Sequence, residues 1–311
     1  MTDRSNPAAN LDAWLWRRNR RPPRPSPGQQ LPTPHGSIRV RRSGPPNGSP
    51  TLVLLCDPPN MVEHYDPTLA ALDTVTPSVV VELPGFGFSP VNRGRGLEFH
   101  ATVEAVESAL QQLGDGPWVL FGPCICGFVA AEIAQRRQVP VAGLVLAQVP
   151  DVSGMQAWCD RMDPQNRLRR PWMGQILGRL GASRLTRFWY RFATAAETDH
   201  QPLTQIAERM LDAGAGYPLA TMLQCWGDAL RDASLQLPAL VLWGRNDRSH
   251  ATTDRHSSLR HVPGARLVEL DQCGHFPDLE QPEQFAALVQ EFLASLPADE
   301  AGRAPPASSK P

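Results

Sequence analysis

Residues 119–127 read Val-Leu-Phe-Gly-Pro-Cys-Ile-Cys-Gly, and this stretch decides the fold prediction. The three large apolar residues at its start are typical of a short buried strand. Phe-Val-Ala-Ala-Glu-Ile-Ala follows Gly127 and predicts a helix of mostly small residues. Gly122, Cys126 and Gly127 are small enough to allow a sharp, strained turn between the strand and the helix. We therefore expect Cys124 at the apex of that turn, with its side chain exposed beyond the end of the strand.

Outward from this stretch, apolar runs alternate with helical patterns. Short runs bounded by glycine or proline predict strands at 37–41, 51–56, 79–82, 119–121, 143–147, 239–243 and 266–270. Apolar residues at near-3.6 spacing predict helices over 99–113, 128–137 and 282–296. Continuous apolar strands between helices favour a parallel sheet covered on both faces, that is, an open doubly wound α/β fold. In such sheets the ligand crevice lies beyond the carboxyl ends of the strands.

Composition limits the classes of function. The chain has 311 residues, of which 41% are hydrophobic and 20% charged, and its formal net charge is -1. This charge gives no general attraction to nucleic acid or acidic membranes, and no apolar stretch approaches the roughly 18 residues of a spanning helix. Six cysteines lie scattered without zinc-ligand spacing: Cys56, Cys124, Cys126, Cys159, Cys225 and Cys273. We expect reduced thiols in the cytoplasm, no metal and no cofactor.

Residues 1–30 and 298–311 differ from the rest. The first segment interleaves arginine and proline, which predicts a mobile arm, although residues 11–16 could instead dock as a helical turn. The last segment predicts a disordered tail. The core is predicted over 31–151 and 237–297, with a helical lid inserted over 152–236.

Four segments of this chain resemble the α/β-hydrolase superfamily. They are 83–89 (Leu-Pro-Gly-Phe-Gly-Phe-Ser), 122–127, 242–247 (Leu-Trp-Gly-Arg-Asn-Asp), and 274–277 (Gly-His-Phe-Pro) with 280–283 (Glu-Gln-Pro-Glu). Their order along the chain is the family's order of nucleophile, acid and histidine. Cys124 stands where the family's Gly-x-Ser-x-Gly motif has serine. The resemblance implies an α/β-hydrolase fold with an inserted helical lid.

The resemblance also implies roles. Cys124 would be the nucleophile, His275 its base and Asp247 the acid that orients the imidazole, with Asp151 as an alternative acid. The Ile125 N–H would stabilise the oxyanion. The helix N-terminus and a nearby histidine should lower the pKa of the Cys124 thiol below its usual value of about 8.5.

The loop after the second predicted strand departs from the family. Cys56-Asp57 replaces the usual His-Gly, and Pro58 stands where a second oxyanion N–H is expected, although proline has none. Asp57 could contact a substrate amine or cap a turn.

Arginine is clustered in the predicted lid. Such a positively charged surface would attract an acidic partner protein. The arginines are Arg161, Arg167, Arg169, Arg170, Arg179, Arg184, Arg187 and Arg191. Cysteine, lid and arginine-rich arm together resemble α/β-hydrolase-fold aminoacyltransferases, which implies movement of an aminoacyl group between the phosphopantetheine thiols of carrier domains in nonribosomal peptide pathways. One alternative is a thioesterase, esterase or lactonase that acts on a small acyl substrate with the same triad. Another is a binding module without activity.

Overall fold

The computed structural model describes residues 6–19, 28–45, 50–72 and 76–297, which contain an eight-stranded sheet. The strands are β1 (Gln29–Thr33), β2 (Gly36–Ser43), β3 (Thr51–Leu55), β4 (Ser78–Val81), β5 (Trp118–Pro123), β6 (Val141–Ala147), β7 (Ala239–Gly244) and β8 (Arg266–Leu270). Their order across the sheet is β1-β2-β4-β3-β5-β6-β7-β8. β2 is antiparallel to both of its neighbours, and the remaining pairs are parallel. The predicted α/β-hydrolase fold, with its mostly parallel sheet, is confirmed.

Helices cover both faces of this sheet. They are α1 (Ala9–Asn19), α2 (Asp66–Leu72), α3 (Phe99–Leu113), α4 (Cys126–Arg136), α5 (Val152–Met162), α6 (Met173–Ala193), α7 (Gln201–Asp212), α8 (Leu219–Cys225), α9 (Pro277–Glu280) and α10 (Pro282–Ala294). Alternate residues of the central strands face opposite cores, because side chains of a strand alternate in direction. Leu120 packs with the core formed by α3 and α4, whereas Phe121 packs against Phe285 of α10 with ring centroids 4.8 Å apart.

The predicted elements differ from the observed ones mainly at their ends. α3 has the predicted bounds, and β8 has them as well. α4 begins two residues earlier than predicted, because only Cys124 and Ile125 separate the end of β5 from the helix. α10 ends at Ala294 and not at residue 296.

The N-terminal segment is regular in two places. α1 buries Ala9 and Ala13, and Asn10 Oδ1 accepts a hydrogen bond of 3.0 Å from the Gly94 N–H. β1 pairs with β2 at the edge of the sheet, where Pro32 is tolerated because an edge strand needs fewer N–H donors. Residues 9–19, which include the 11–16 stretch, therefore form a docked helix within the expected 1–30 arm. Residues 1–5 and 20–27 of that arm and the expected 298–311 tail lie outside the described residues.

Four helices, α5 to α8, lie between β6 and β7, and we call this segment the lid. The lid reaches the core through Tyr190 of α6, whose hydroxyl donates to Asn60 Oδ1 over 2.8 Å, and through Trp226, whose indole N–H donates to the Leu97 carbonyl over 2.9 Å. It therefore covers the carboxyl edge of the sheet. Among the helices of the described ranges, none combines the length and the apolar character needed to cross a membrane.

A buried ion network supports the loop after β4. Arg39 is 2% exposed, and its Nε and Nη2 donate to Glu82 over 3.1 and 2.5 Å. Its Nη1 and Nη2 donate to Glu63 over 2.6 and 2.7 Å. Glu82 also accepts from the Phe88 N–H over 2.6 Å. We call these three ionic side chains the Arg39 cluster; through Glu82 it holds the loop after β4 at Phe88.

Candidate active site

The predicted turn at Cys124 is present between β5 and α4. Cys124 has φ of 46°, a left-handed value that costs a residue with a side chain on the order of 1 kcal/mol or more. Its N–H donates to the Ala147 carbonyl over 2.7 Å. A Cβ atom on Gly122 would lie 2.7 Å from Gly127 Cα, and one on Gly127 would lie 2.3 Å from a methyl group of Val149. Glycine is therefore required at both positions for the strand and the helix to pack this closely.

His275 and Asp247 form the second part of the site, and they lie at the carboxyl edge, as predicted. His275 Nδ1 is 2.6 Å from Asp247 Oδ2. Asp247 is itself held in place, because its Oδ1 accepts from the N–H and hydroxyl of Ser249 over 2.8 and 2.7 Å, and its Oδ2 accepts from Gln148 Nε2 over 2.7 Å. These contacts fix the imidazole so that Nε2 is its remaining polar atom.

Asp57 faces that remaining atom. Its Oδ2 lies 3.5 Å from His275 Nε2, and one polar atom from each of Asp57, Cys124 and His275 lies within 4.8 Å of the other two. All three residues are buried, with exposed fractions of 2%, 3% and 0%. Among the described residues, no group makes a hydrogen bond with His275 Nε2. The histidine therefore stands between two carboxylates, beside a thiol.

The charges of this cluster change the expected state of the thiol. Burial raises the pKa of Cys124 to about 11, and the charge of Asp57 adds to the rise while that of His275 opposes it. The expected fall in this pKa is therefore wrong, because burial and a neighbouring carboxylate outweigh the lowering effects of His275 and the Ile125 N–H.

His275 is the group that can take up the compensating positive charge when the thiol proton moves. Burial disfavours the imidazolium, but the charges of Asp247 and Cys124, the hydrogen bond to Asp247 and the nearby carboxylate of Asp57 raise the pKa of His275 well above its ordinary value. Burial raises the pKa of Asp57, against the opposite effect of His275. One negative charge can therefore lie on Asp57 or, once a proton has moved, on Cys124.

The sequence predicts the Ile125 N–H as a donor to the oxyanion. Ile125 directly precedes α4, and its N–H acts to lower the pKa of the Cys124 thiol. Asp57, Pro58 and Pro59 line the same cavity as Ile125, so the prolines occupy the region where a second donor is expected. Neither proline has an N–H. The loss of one such donor costs on the order of 3 kcal/mol of transition-state stabilisation.

A largely apolar cavity of about 120 Å³ lies beside Cys124, under the lid. The lid contributes Trp158, Met162, Leu168, Phe188, Trp189 and Met222, among others, to its walls. Aromatic rings also enclose the imidazole. His250 stacks on His275 at 5.4 Å, and the Trp189 ring meets its edge at 5.0 Å. The cavity could therefore hold an apolar acyl group next to the sulfur.

The structure gives contacts for Asp151, Gln148 and Asp57 that the sequence did not predict. Asp151, the alternative acid, caps α5 by accepting from the Gly154 N–H over 2.7 Å, and it pairs with Arg260, so it does not hold the histidine. Gln148, which orients Asp247, follows a buried strand directly, and this was the signal for a residue at the carboxyl edge. Nothing in the sequence indicated that Asp57 faces the histidine.

Comparison with known proteins is consistent with this geometry. The family model of the α/β-hydrolase fold matches residues 65–282. A pimeloyl-[acyl-carrier protein] methyl ester esterase of Aromatoleum aromaticum is 29% identical over 233 residues, covering 68% of this chain and 85% of that protein. The enzyme of the same name from Neisseria meningitidis is 25% identical over 239 residues, covering 75% of this chain and 89% of that protein.

Solved structures share the fold at lower identity. Epoxide hydrolase A from Mycobacterium thermoresistibile superposes with a TM-score of 0.72 at 15% identity, covering 87% of this chain and 98% of that one. A thermophilic esterase from Thermogutta terrifontis gives a TM-score of 0.66 at 20% identity, covering 89% and 100%.

Proposed function

The chain belongs to the α/β-hydrolase family, and from that premise we propose that it cleaves an acyl ester or thioester through a covalent thioester on Cys124. One observation carries the proposal. The Cys124 sulfur stands at the strained turn within 4.8 Å of a polar atom of His275, while His275 Nδ1 is bonded to Asp247 at 2.6 Å. A nucleophile, a base and a group that orients the base are the parts that covalent acyl transfer requires.

In the first step the Cys124 sulfur attacks the substrate carbonyl and the carbon–oxygen or carbon–sulfur bond to the leaving group breaks. The thiol proton needs an acceptor, and the imidazole and Asp57 are both adjacent. His275 would hold that proton as an imidazolium stabilised by Asp247, and would then give it to the leaving group. In the second step water attacks the thioester, its proton passes to His275 and then to the departing sulfur, and the acid is released.

The substrate that we propose is an acyl group attached to an acyl carrier protein. Relatives of 25 to 29% identity are named for action on a carrier-protein ester. The lid is rich in arginine, which would attract an acidic carrier protein. The apolar cavity beside Cys124 would receive the acyl chain, while the carrier would stay outside the lid.

A second candidate is transfer of the acyl group, in particular an aminoacyl group, from Cys124 to the phosphopantetheine thiol of another carrier. Pro58 and Pro59 favour it, because a site that has lost an oxyanion donor suits a reaction that demands less stabilisation. Exchange between two thioesters is close to thermoneutral, whereas water must be activated to attack the same intermediate.

The two candidates differ in where the acyl group goes. A carrier protein loaded with a radiolabelled acyl thioester is incubated with the enzyme, with and without a second carrier bearing a phosphopantetheine thiol. Hydrolysis predicts that released acid dominates in both mixtures, whereas transfer predicts that label moves to the second carrier faster than acid appears. The Cys124→Ala variant should do neither. Turnover of that variant at the wild-type rate would reject both candidates.

A further inference from the structure

We infer that Asp57, Cys124 and His275 also form a binding site for a zinc ion. The ion would bind the Cys124 sulfur reversibly and so block its reaction with substrate. The binding itself does not depend on the proposed function; its consequence, a block of acylation, does. The ligands would be Asp57 Oδ2, the thiolate Sγ of Cys124 and Nε2 of the neutral His275 imidazole, and the protons that these two groups carry would be released to solvent as the ion binds. The fourth position of the ion would face the cavity under the lid.

The distances fit this metal. Zinc is bound tetrahedrally at about 2.0 to 2.3 Å by carboxylate, imidazole and thiolate, so nitrogen and oxygen ligands lie about 3.3 Å apart. His275 Nε2 and Asp57 Oδ2 are 3.5 Å apart. The whole set, including the sulfur, lies within 4.8 Å, so a small movement of the cysteine side chain would complete three ligand positions.

The His275 imidazole is already oriented as a metal ligand would be. His275 is fully buried, and its Nε2 makes no hydrogen bond with any described residue, although a buried polar atom normally has a partner. Its other nitrogen is held by Asp247, as in the carboxylate–histidine pairs that orient metal-bound imidazoles. Gln148 and Ser249 in turn hold Asp247. The ligand is thus fixed before any ion arrives.

A neighbouring group of residues does not fit. Asp247, His250 and His275 also bring one polar atom each within 4.8 Å. However, His275 Nδ1 and Asp247 Oδ2 are only 2.6 Å apart and are bonded to each other. That separation is too short for two tetrahedral ligands of one ion, which require about 3.3 Å. The assignment therefore falls on the side of the ring that faces Asp57.

Access and ligand type also favour the Asp57 side. Asp57 and Cys124 both line the cavity, so an ion can reach them from the space that would hold substrate. A mixed set of thiolate, imidazole and carboxylate suits zinc, whereas magnesium and calcium prefer oxygen ligands. Three protein ligands with one open position also match the form of zinc sites that exchange a fourth ligand.

Cobalt(II) is the probe that tests the site, because a cobalt–thiolate bond gives an intense near-ultraviolet charge-transfer band that needs no enzymatic turnover. The full-length protein is titrated with cobalt(II), and then with zinc in competition. We expect one ion per chain, a thiolate band, and loss of the band in Cys124→Ser. Asp57→Asn should weaken cobalt binding by at least the roughly tenfold loss that outer partners of metal ligands already cause. Cys126→Ser is the matched control, since Cys126 is a buried thiol two residues away that contacts Asp57 Oδ1 at 3.7 Å, and it should retain the band.

Wild-type protein alkylated at Cys124 provides a second comparison if a variant does not fold, and it should also lack the band. The inference is overturned if the wild type shows no thiolate band, if Cys124→Ser keeps it, or if Asp57→Asn binds cobalt as tightly as the wild type. None of these readings uses an acyl substrate. Failure of the zinc site can therefore be distinguished from failure of the proposed acyl chemistry.

Discussion

Two buried clusters of this molecule place a basic side chain between two carboxylates, but in only one of them is every nitrogen of that side chain hydrogen-bonded within the described part of the chain. In the Arg39 cluster, every nitrogen of the guanidinium donates to Glu63 or Glu82 at 2.5 to 3.1 Å. In the second, formed by Asp57, His275 and Asp247, the imidazole is bonded to Asp247 at 2.6 Å but only approaches Asp57 to 3.5 Å. We call this second group the His275 cluster.

The difference lies in what each cluster can still do. Both bury charge, which is costly unless the charges are paired and hydrogen-bonded. The Arg39 cluster uses its bonds to hold the loop after β4. The His275 cluster leaves a nitrogen available beside a thiol, in a cavity, and such incompletely paired ionisable groups are where acid–base chemistry takes place. Variants of each cluster should therefore change different properties.

Replacement of the thiol should give the largest effect on activity. Cys124→Ala removes the atom that forms the acyl intermediate, and loss of a comparable nucleophile lowers turnover by about a millionfold. Stability should change little, because the side chain makes no ion pair with any residue that the structure describes. Turnover and denaturant unfolding are measured side by side. A fall in turnover of less than about tenfold would contradict the claim that the His275 cluster serves activity through Cys124.

Asp247→Asn should have the next largest effect. Asparagine keeps the size of the side chain but no longer stabilises the imidazolium, and the same change in a serine triad lowers turnover by about ten-thousandfold. Michaelis constants should move much less than turnover. A variant with near-normal turnover would remove Asp247 from its orienting role and leave the His275 cluster without a functional acid.

Arg39→Met tests the Arg39 cluster. Removing one partner from a buried ion network leaves uncompensated charge and costs about 3 to 5 kcal/mol in the free energy of unfolding. Arg266→Met is the matched control, since the Arg266–Glu291 pair is 49% and 62% exposed, and such pairs contribute about 1 kcal/mol or less. Urea unfolding of both variants gives the comparison. Equal losses would show that burial does not distinguish the two pairs.

Asp57→Asn should give the smallest effect and the most specific one. Because Asp57 raises the pKa of the Cys124 thiol, its removal should lower that pKa and increase the thiolate fraction at neutral pH. A shift of about one unit would speed alkylation at pH 7 about tenfold. In the wild type, whose thiol pKa is about 11, the rate should keep rising with pH well above 8.

Iodoacetamide kinetics from pH 6 to 10, read by intact mass, measure this change. Asp271→Asn is the control, because that carboxylate is 78% exposed on the loop after β8. An unchanged or slower rate in Asp57→Asn would show that the carboxylate does not control the thiol.

Local patterns in the sequence were enough for much of the fold and for part of the site. Periodicity gave α3 its observed bounds, and the small residues around Cys124 predicted its turn. Gln148 and Asp57 contact loop residues that are distant in sequence, Asp247 and His275, and no local pattern reports such contacts. The predicted direction of the Cys124 pKa shift was wrong for the same reason. The helix after Cys124 can be predicted from neighbouring residues, whereas burial and the approach of Asp57 depend on the folded chain.

The regular structure of the N-terminal segment shows the same limit. Composition favoured a mobile arm over 1–30 and left a docked helical turn at 11–16 as the alternative; α1 and β1 form where the body provides partners, Gly94 for α1 and β2 for β1. Tertiary contacts of this kind outweigh local propensity.

The most direct test of the central claim is the mass of the protein after brief reaction with an acyl thioester of a carrier protein, quenched in acid and digested. We predict one acyl group on the peptide that contains Cys124, in the wild type and in Cys126→Ser, and none in Cys124→Ser. Acyl label on another residue, or no label while substrate is consumed, would contradict the account.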